Sequence, residues 1–67
     1  MNDWIALSQA EKVALGHVAL GRTNREIAVE MGLMPESIRT MLWGVSRTLG
    51  AESRSELRAI ATSARLS

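Results

Sequence analysis

The amino-acid sequence predicts an all-α domain of four helices, and three observations point to that class. Sustained alternation of apolar and polar residues, which marks half-buried strands, is absent, and the 67 residues include no Tyr or Phe. Three polar motifs have the spacing of helix starts, and three glycines follow apolar stretches of helical period. A chain of this length forms one domain with one small core. The helices are expected at about residues 8–20, 24–31, 35–49 and 53–64.

The first, second and fourth helices are predicted from capping boxes. In this motif a Ser or Thr hydroxyl accepts from the backbone N–H three residues later, and a Glu at that position accepts from the backbone N–H of the Ser or Thr. The spacing occurs at Ser8 and Glu11, Thr23 and Glu26, and Ser53 and Glu56. Glycine readily adopts the left-handed conformation that ends many helices. Helix ends are therefore predicted at Gly21, Gly32 and Gly50.

The third helix is expected to begin without a capping side chain. Met34 occupies the position where Ser, Thr, Asp or Asn usually caps a helix. Pro35 follows at the first helical position, where the N–H that it lacks would have no partner in the helix. Glu36 places a negative charge near the positive end of the helix dipole. These two residues compensate for the missing cap.

The third helix has one apolar and one polar face. At about 100° per residue, a core stripe is formed by Ile38, Leu42, Val45 and Leu49. The opposite side carries Glu36, Thr40, Trp43 and Arg47, with Arg39 on its flank. Function is expected on this outward face, because an exposed Trp and a row of charged groups contribute little to a core.

The fourth helix is expected to turn four apolar residues inward, namely Leu57, Ile60, Ala61 and Ala64. Its outward residues are small: Ser55, Ala59, Thr62 and Ser63. Small side chains let two helix backbones approach closely, which suits a two-fold contact between protomers. The alternative is an exposed polar face without a partner.

Several function classes are not expected. The chain has one His, no Cys and no cluster of carboxylates, so neither catalysis nor a metal site is expected, and no cofactor or small-molecule ligand either. No apolar run approaches the roughly 18 residues that span a bilayer, and the N-terminus does not resemble a signal peptide. We therefore expect a cytoplasmic protein that does not bind membranes. Eight basic against seven acidic residues give a net charge of +1, which neither supports nor excludes DNA binding.

The sequence resembles the DNA-binding domain of the LuxR/GerE family of bacterial transcription regulators. Residues 7–57 follow that family's pattern without a gap, with short helix connections at residues 21–23 and 32–34, as in a helix-turn-helix. The strongest matches are Leu7, Ser8, Glu11, Ala19, Gly21, "TNREIA" (residues 23–28), "SIR" (residues 37–39), Leu49, Gly50 and Arg54.

The resemblance implies a role for each helix and for several side chains. The third helix would be the recognition helix in the major groove of double-stranded DNA, and the fourth would mediate dimerisation. Arg39 and Trp43 occupy base-contacting positions, with Thr40 beside them. The positions near the phosphate backbone are Thr23, Arg25 and Ser37.

Three further outward residues belong to the expected interface. Glu36 shares the recognition face and contacts bases only where it accepts from a cytosine amino group. Arg47 and Arg54 add cations on the phosphate side. For Trp43 the sequence leaves three interpretations open, which are contact with a thymine methyl, contact with a protein and local packing over the second helix.

The leading hypothesis is therefore a small transcription regulator that binds a two-half-site DNA sequence as a homodimer through residues 35–49. We take residues 1–6 as an N-terminal extension and residues 7–67 as the helix-turn-helix domain. With six residues before the family pattern, we expect a stand-alone domain without a sensor domain. The alternative is the C-terminal domain of a longer protein.

The competing hypothesis is an interaction protein, either an anti-activator or a co-regulator, that keeps the fold but binds another transcription regulator or protein. The contact would be residues 53–64 or an apolar patch of Met34, Met41 and Trp43. The small net charge, Glu36 and the neutral Thr48 favour it. The family resemblance along residues 7–57 and the outward arginines favour the DNA-binding hypothesis.

Overall fold

Four α-helices and one short 3-10 helix make up the computed structural model, which describes the backbone of residues 3–66 and the side chains of residues 5–64. The helices are α1 (Gln9–Ala19), α2 (Asn24–Met31), α3 (Pro35–Leu49) and α4 (Arg54–Leu66). No strand occurs within residues 3–66, and the predicted all-α class with four helices is confirmed. The 3-10 helix Asp3–Ala6 was not predicted; it packs against α3.

The capping boxes of α1 and α2 are both complete. Glu11 N–H donates to Ser8 Oγ at 3.1 Å, and Ser8 N–H donates to the Glu11 carboxylate at 2.7 Å. The corresponding distances at Thr23 and Glu26 are 3.1 and 2.8 Å. The bond from the Thr23 N–H lowers the pKa of Glu26, because it stabilises the carboxylate form. Each box satisfies two backbone donors that the helix itself leaves free.

Of the capping box predicted at the start of α4, one of the two hydrogen bonds is present and the other is wrong. Glu56 N–H does donate to Ser53 Oγ at 3.1 Å. The Glu56 carboxylate, however, accepts from the backbone N–H of Glu52 at 2.6 Å instead of from that of Ser53. The carboxylate reaches one residue further back along the incoming chain, so it anchors the segment before α4 as well as the helix.

The start of α3 has no side-chain cap, as its sequence indicates. Met34 is extended, with φ −85° and ψ 147°, and its side chain makes no capping hydrogen bond. Pro35 occupies the first turn, and the Met34 carbonyl accepts from Ser37 N–H at 3.0 Å. Gly32, with φ +67°, ends α2 immediately before this turn. The α2–α3 pair is thereby joined by a tight turn of residues 32–34.

The core lies between α1 and the other three helices. α1 packs against both α4 and α3, and α2 packs against α3. The described buried residues are all apolar: Leu7, Ala14, Leu15, Val18, Ile27, Ala28, Ile38, Leu42, Val45, Leu57 and Ala61. Three of the four predicted α3 core residues are among them, whereas Leu49 is half-buried at the edge.

Candidate nucleic-acid interface

The outward face of α3 is held in place by its buried face. Ile38, Leu42 and Val45 are at most 4% exposed, which fixes the rotation of the helix about its axis. On the opposite side, the side chain of Arg39 is 69% exposed and that of Glu36 71%. Thr40 and Arg47 are also exposed, as the sequence predicts. A rigid helix therefore presents this row of polar side chains to solvent.

Three residues of this face surround one shallow depression of about 250 Å³: Arg39, Thr40 and Trp43. These are the three residues to which the family resemblance assigned base contacts or a position beside them. Trp43 is 63% exposed. The interpretation that Trp43 folds down to shield the core is therefore wrong, since most of its surface faces solvent.

Glu36 and Arg39 form an ion pair on this face, one helical turn apart. The Glu36 carboxylate raises the pKa of Arg39, first through the hydrogen bond and then through its charge. Because both side chains are largely exposed, water and salt screen the pair, and its contribution to stability is small. The pair therefore constrains Arg39 only weakly.

Trp43 and Arg47 form a second contact one turn further along α3. The guanidinium carbon of Arg47 lies 4.9 Å from the centroid of the Trp43 ring, in the range of a cation–π interaction. The ring orients the guanidinium without neutralising its charge. Arg47 therefore remains available to an anionic group.

A groove of about 380 Å³ separates α3 from the start of α4. We call it the recognition groove; it is lined by Arg39, Trp43, Arg47, Asn24 and Arg54 among others. The structure thus brings Arg54, predicted on the phosphate side, next to the residues of α3. Glu52 also lines the groove and is its acidic member.

Arg54 has a structural role that the sequence did not indicate. Its guanidinium donates to Asn24 Oδ1 at 2.6 Å and to the Arg22 carbonyl at 2.9 Å. Partial burial lowers the pKa of Arg54, because desolvation disfavours the charged form. These bonds use two of the five N–H donors of the Arg54 side chain.

The remaining residues predicted near phosphate lie in two places. Thr23 and Arg25 are exposed at the start of α2, and the Thr23 hydroxyl accepts the capping bond from Glu26 N–H. Ser37 is exposed in the first turn of α3. These three predicted phosphate-side residues therefore lie exposed at the N-terminal ends of α2 and α3.

The prediction that Met34, Met41 and Trp43 form one apolar patch is wrong. Met41 is half-buried and packs against the core, whereas Met34 is 69% exposed. Met41 and Trp43 are two residues apart on a helix and so point about 160° away from each other. Met34 and Trp43 are two separate exposed apolar groups.

The outward face of α4 agrees with its predicted exposure. The four small residues Ser55, Ala59, Thr62 and Ser63 are all exposed. Leu57 and Ala61 are buried, and Ile60 and Ala64 are half-buried, on the inward side. The dimerisation role of the outward face stays a prediction.

Asn24, Arg22 and Arg58 are parts of this surface that were not predicted as functional. Asn24 holds Arg54, while Arg22 and Arg58 line a second groove beside the α1–α2 turn. In the sequence, the position of Asn24 next to the Thr23 cap indicates only a role at the start of α2. Its bond to Arg54 spans 30 residues and has no signature in the sequence.

The described residues form neither a candidate metal site nor a membrane-spanning helix. Among them, no three His, Cys, Asp or Glu side chains come together in a way that holds a metal ion. None of the helices in the described part of the chain has the length and apolar character needed to cross a membrane.

Comparison with known proteins gave two matches. The GerE family model, described as bacterial regulatory proteins of the luxR family, matches residues 6–61. RamA, an HTH-type transcriptional activator of Corynebacterium glutamicum, is 48% identical over 50 residues, which make up 75% of this chain and 18% of RamA. The chain thus spans less than a fifth of the length of that relative. None of the solved structures gave a significant match.

Proposed function

The chain belongs to the luxR family of bacterial regulatory proteins, and from this membership we propose that it is a cytoplasmic, DNA-binding transcription regulator. It binds two half-sites as a homodimer, with α3 in the major groove. The description of RamA as a transcriptional activator supports regulation as the function. The DNA-binding unit is residues 7–67, with residues 1–6 as an extension.

The observation that carries this proposal is the depression bordered by Arg39, Thr40 and Trp43 on the exposed face of α3. A major groove admits one α-helix, and a concave site on that helix encloses a base edge from three sides. Arg39 donates two of its N–H groups to the O6 and N7 of a guanine, while Trp43 packs on a thymine methyl. Thr40 contacts either base type through its hydroxyl or methyl group.

Glu36 takes part in base selection through Arg39. In the free protein it holds Arg39 in the ion pair on the helix surface. On DNA, Arg39 turns to guanine, and Glu36 accepts from the amino group of a neighbouring cytosine. Where no cytosine lies within reach, the carboxylate faces phosphates and weakens binding.

The phosphate contacts come from both sides of the recognition helix. Arg47 and Arg54 line the recognition groove, and Ser37 lies in the first turn of α3. Thr23 and Arg25 add a hydroxyl and a cation at the start of α2. These contacts position the helix but carry no sequence information of their own.

Dimerisation occurs through the outward face of α4. Its residues Ser55, Ala59, Thr62 and Ser63 are small and exposed, so two copies of the helix can pack closely around a two-fold axis. A symmetric dimer places its two recognition helices one helical turn of DNA apart, or a multiple of this. The expected target is therefore an inverted repeat.

Selection from a random DNA pool tests this function, with the binding of enriched duplexes then followed against salt concentration. We expect an inverted-repeat motif and a log–log slope of several units, since each neutralised phosphate contributes about 0.9. An unenriched pool together with salt-independent binding would contradict the proposal.

A second candidate function, supported by the exposed apolar side chains, is an anti-activator or co-regulator. Met34 is 69% exposed and Trp43 63%, and each is large enough to anchor a protein contact. Because the two residues lie apart, Met34→Ala and Trp43→Ala test two separate surfaces. If Trp43→Ala alters base preference in the selection, Trp43 contacts DNA; if it instead abolishes binding to another regulator and leaves DNA binding unchanged, Trp43 is a protein contact.

A further inference from the structure

A second groove, of about 560 Å³, lies beside the α1–α2 turn. We call it the arginine cleft, because four arginines from three parts of the chain line it: Arg22, Arg25, Arg54 and Arg58. The other lining residues are Val18, Gly21, Thr23 and Asn24, and none of the eight is acidic. Four of the eight basic residues of the chain therefore face one concave surface.

Two of these guanidinium groups donate to side chains other than carboxylates, and a third lies over a glycine. Arg22 Nη1 donates to His17 Nδ1 at 2.5 Å, and Arg54 donates to Asn24 Oδ1. The Arg58 guanidinium lies over Gly21, so closely that a Cβ atom at Gly21 would be 2.9 Å from Nη2. The groups are oriented, but no carboxylate in the cleft neutralises them.

Two acidic side chains lie beside the cleft without lining it. Glu26 and Glu30 line a separate shallow groove with Arg22 and Arg25. The Glu26 carboxylate accepts from the Thr23 N–H at 2.8 Å, and the charge of Arg22 contributes less than this bond to lowering the pKa of Glu26. Within the described side chains, the ion pair of the molecule is Glu36–Arg39, outside the cleft. The cleft therefore has an excess of positive charge that an anion would relieve.

Guanidinium groups select among anions by geometry. Each presents parallel N–H donors that match two oxygens of a phosphate group. Four of them around one concave surface suit a phosphate better than a planar carboxylate, because a phosphate offers acceptors in several directions. The expected ligand group is therefore a phosphate.

The position of the cleft indicates where that phosphate comes from. Asn24 and Arg54 line both the arginine cleft and the recognition groove, so the two surfaces adjoin. A DNA strand that leaves α3 past Arg47 and Arg54 continues into the cleft. The binding of a free phosphorylated molecule would not require the two grooves to adjoin.

We propose that the arginine cleft binds a backbone phosphate of DNA beyond the base pairs that α3 contacts, with Arg22 and Arg58 as its contacts. This inference rests on the proposed function and extends it, because neither residue was assigned to DNA before. Arg58 belongs to α4, so the helix proposed for dimerisation also contacts DNA, next to the dimer face that contains Ser55 and Thr62.

The test compares Arg22→Gln and Arg58→Gln with Lys12→Gln in the full chain, with the selected duplex as the probe. All three variants lose one positive charge, and Lys12 lines neither groove. Because the proposed dimer carries two clefts, each cleft variant should lower the log–log salt slope by about 1.8, which is about 0.9 per protomer, and leave the selected motif unchanged. Lys12→Gln should keep the wild-type slope. Circular dichroism and sedimentation check that each variant stays folded and keeps its oligomeric state.

Two further arms identify the ligand. Arg58→Lys retains the charge and should restore most of the slope that Arg58→Gln loses. Ethylation of individual backbone phosphates should reveal one outside the motif whose modification weakens wild-type binding but not Arg58→Gln binding. Cleft variants whose slopes equal that of Lys12→Gln would overturn the inference, as would a cleft that responds to inorganic phosphate in NMR titration but not to the duplex. If the wild type binds no duplex, the proposed function itself fails.

Discussion

The Arg54 guanidinium donates to Asn24 Oδ1 at 2.6 Å across 30 residues of sequence, and a second of its N–H groups donates to the Arg22 carbonyl at 2.9 Å. These bonds join the first turn of α4 to the start of α2. Both bonds lie where the recognition groove meets the arginine cleft. One side chain thus fixes the orientation of α4 relative to the helix-turn-helix and faces the proposed DNA path.

The first prediction concerns this bridge. Asn24→Ala and Arg54→Ala should each lower the free energy of unfolding by about 1 kcal/mol, because each breaks a charge-assisted but solvent-accessible hydrogen bond. Urea denaturation of both single variants and the double variant gives the coupling energy, which we expect to be at least about 0.5 kcal/mol. Gln9→Ala, at an exposed position in the first turn of α1, is the control and should be close to neutral. Additive effects of the two substitutions would show that the bond does not stabilise the fold.

The second prediction separates the two members of the Glu36–Arg39 ion pair. Arg39→Ala should weaken binding to the selected duplex by about 1–3 kcal/mol per half-site and abolish the preference for guanine at one position of each half-site. Glu36→Gln should strengthen binding to unrelated duplexes, because it removes a negative charge that faces the phosphates. Fluorescence anisotropy with selected and scrambled duplexes measures both effects. Equal affinity of Arg39→Ala and wild type for the selected duplex would exclude base contact by Arg39.

The third prediction uses two glycines as a matched pair. Gly21 has φ +78°, a left-handed conformation that Ala adopts only with strain, so Gly21→Ala should destabilise the fold by about 1 kcal/mol or more. The Arg58 guanidinium, 2.9 Å from a Cβ at this position, can shift away at little cost. Gly44 lies within α3 and a Cβ there would meet nothing within 4 Å. Gly44→Ala should stabilise the fold by about 0.5–1 kcal/mol, because Ala loses less backbone entropy in a helix. Thermal unfolding measures both effects, and a shift of the melting temperature with the same sign for the two variants would contradict this expectation.

The fourth prediction concerns how the free energy of unfolding changes as the pH falls. The pKa of Glu26 is below its ordinary value of 4.5 in the folded protein, chiefly because its carboxylate accepts from the Thr23 N–H. A lowered folded pKa contributes stability that is fully present above the unfolded pKa and is lost as the pH falls through the folded pKa. Wild type should therefore lose more stability than Glu26→Gln between about pH 5 and about pH 3. Parallel urea titrations at both pH values measure the difference, and identical losses would show that the bond is not maintained in solution.

The local features of the fold were predictable from the sequence. The caps at Ser8 and Thr23 involve partners three residues away, so their signature is written in short motifs. The uncapped start at Met34 follows from the adjacent Pro35 in the same way. The error at Ser53 arose because Glu56 also reaches the backbone of Glu52, which the motif does not encode.

The exposed face of α3 was also predictable from helical spacing. The same spacing excludes Met41 from that face. Helical spacing alone separates Met41 from Trp43 by about 160°, so the proposed patch of Met34, Met41 and Trp43 conflicted with the sequence from the start. The 3-10 helix Asp3–Ala6 was not predictable in this way, because so short an element depends on its packing against α3.

The sequence by itself determined the class, the ends of the helices and the side of α3 that faces solvent, because periodicity and capping act over a few residues. Only the tertiary structure decided which distant side chains share a surface. Arg22, Arg25, Arg54 and Arg58 line one cleft, although up to 36 positions separate them in sequence (58 − 22 = 36). The packing of α1 against α4 brings the α1–α2 turn to the first turns of α4, and a net charge of +1 thereby becomes a concentrated basic surface.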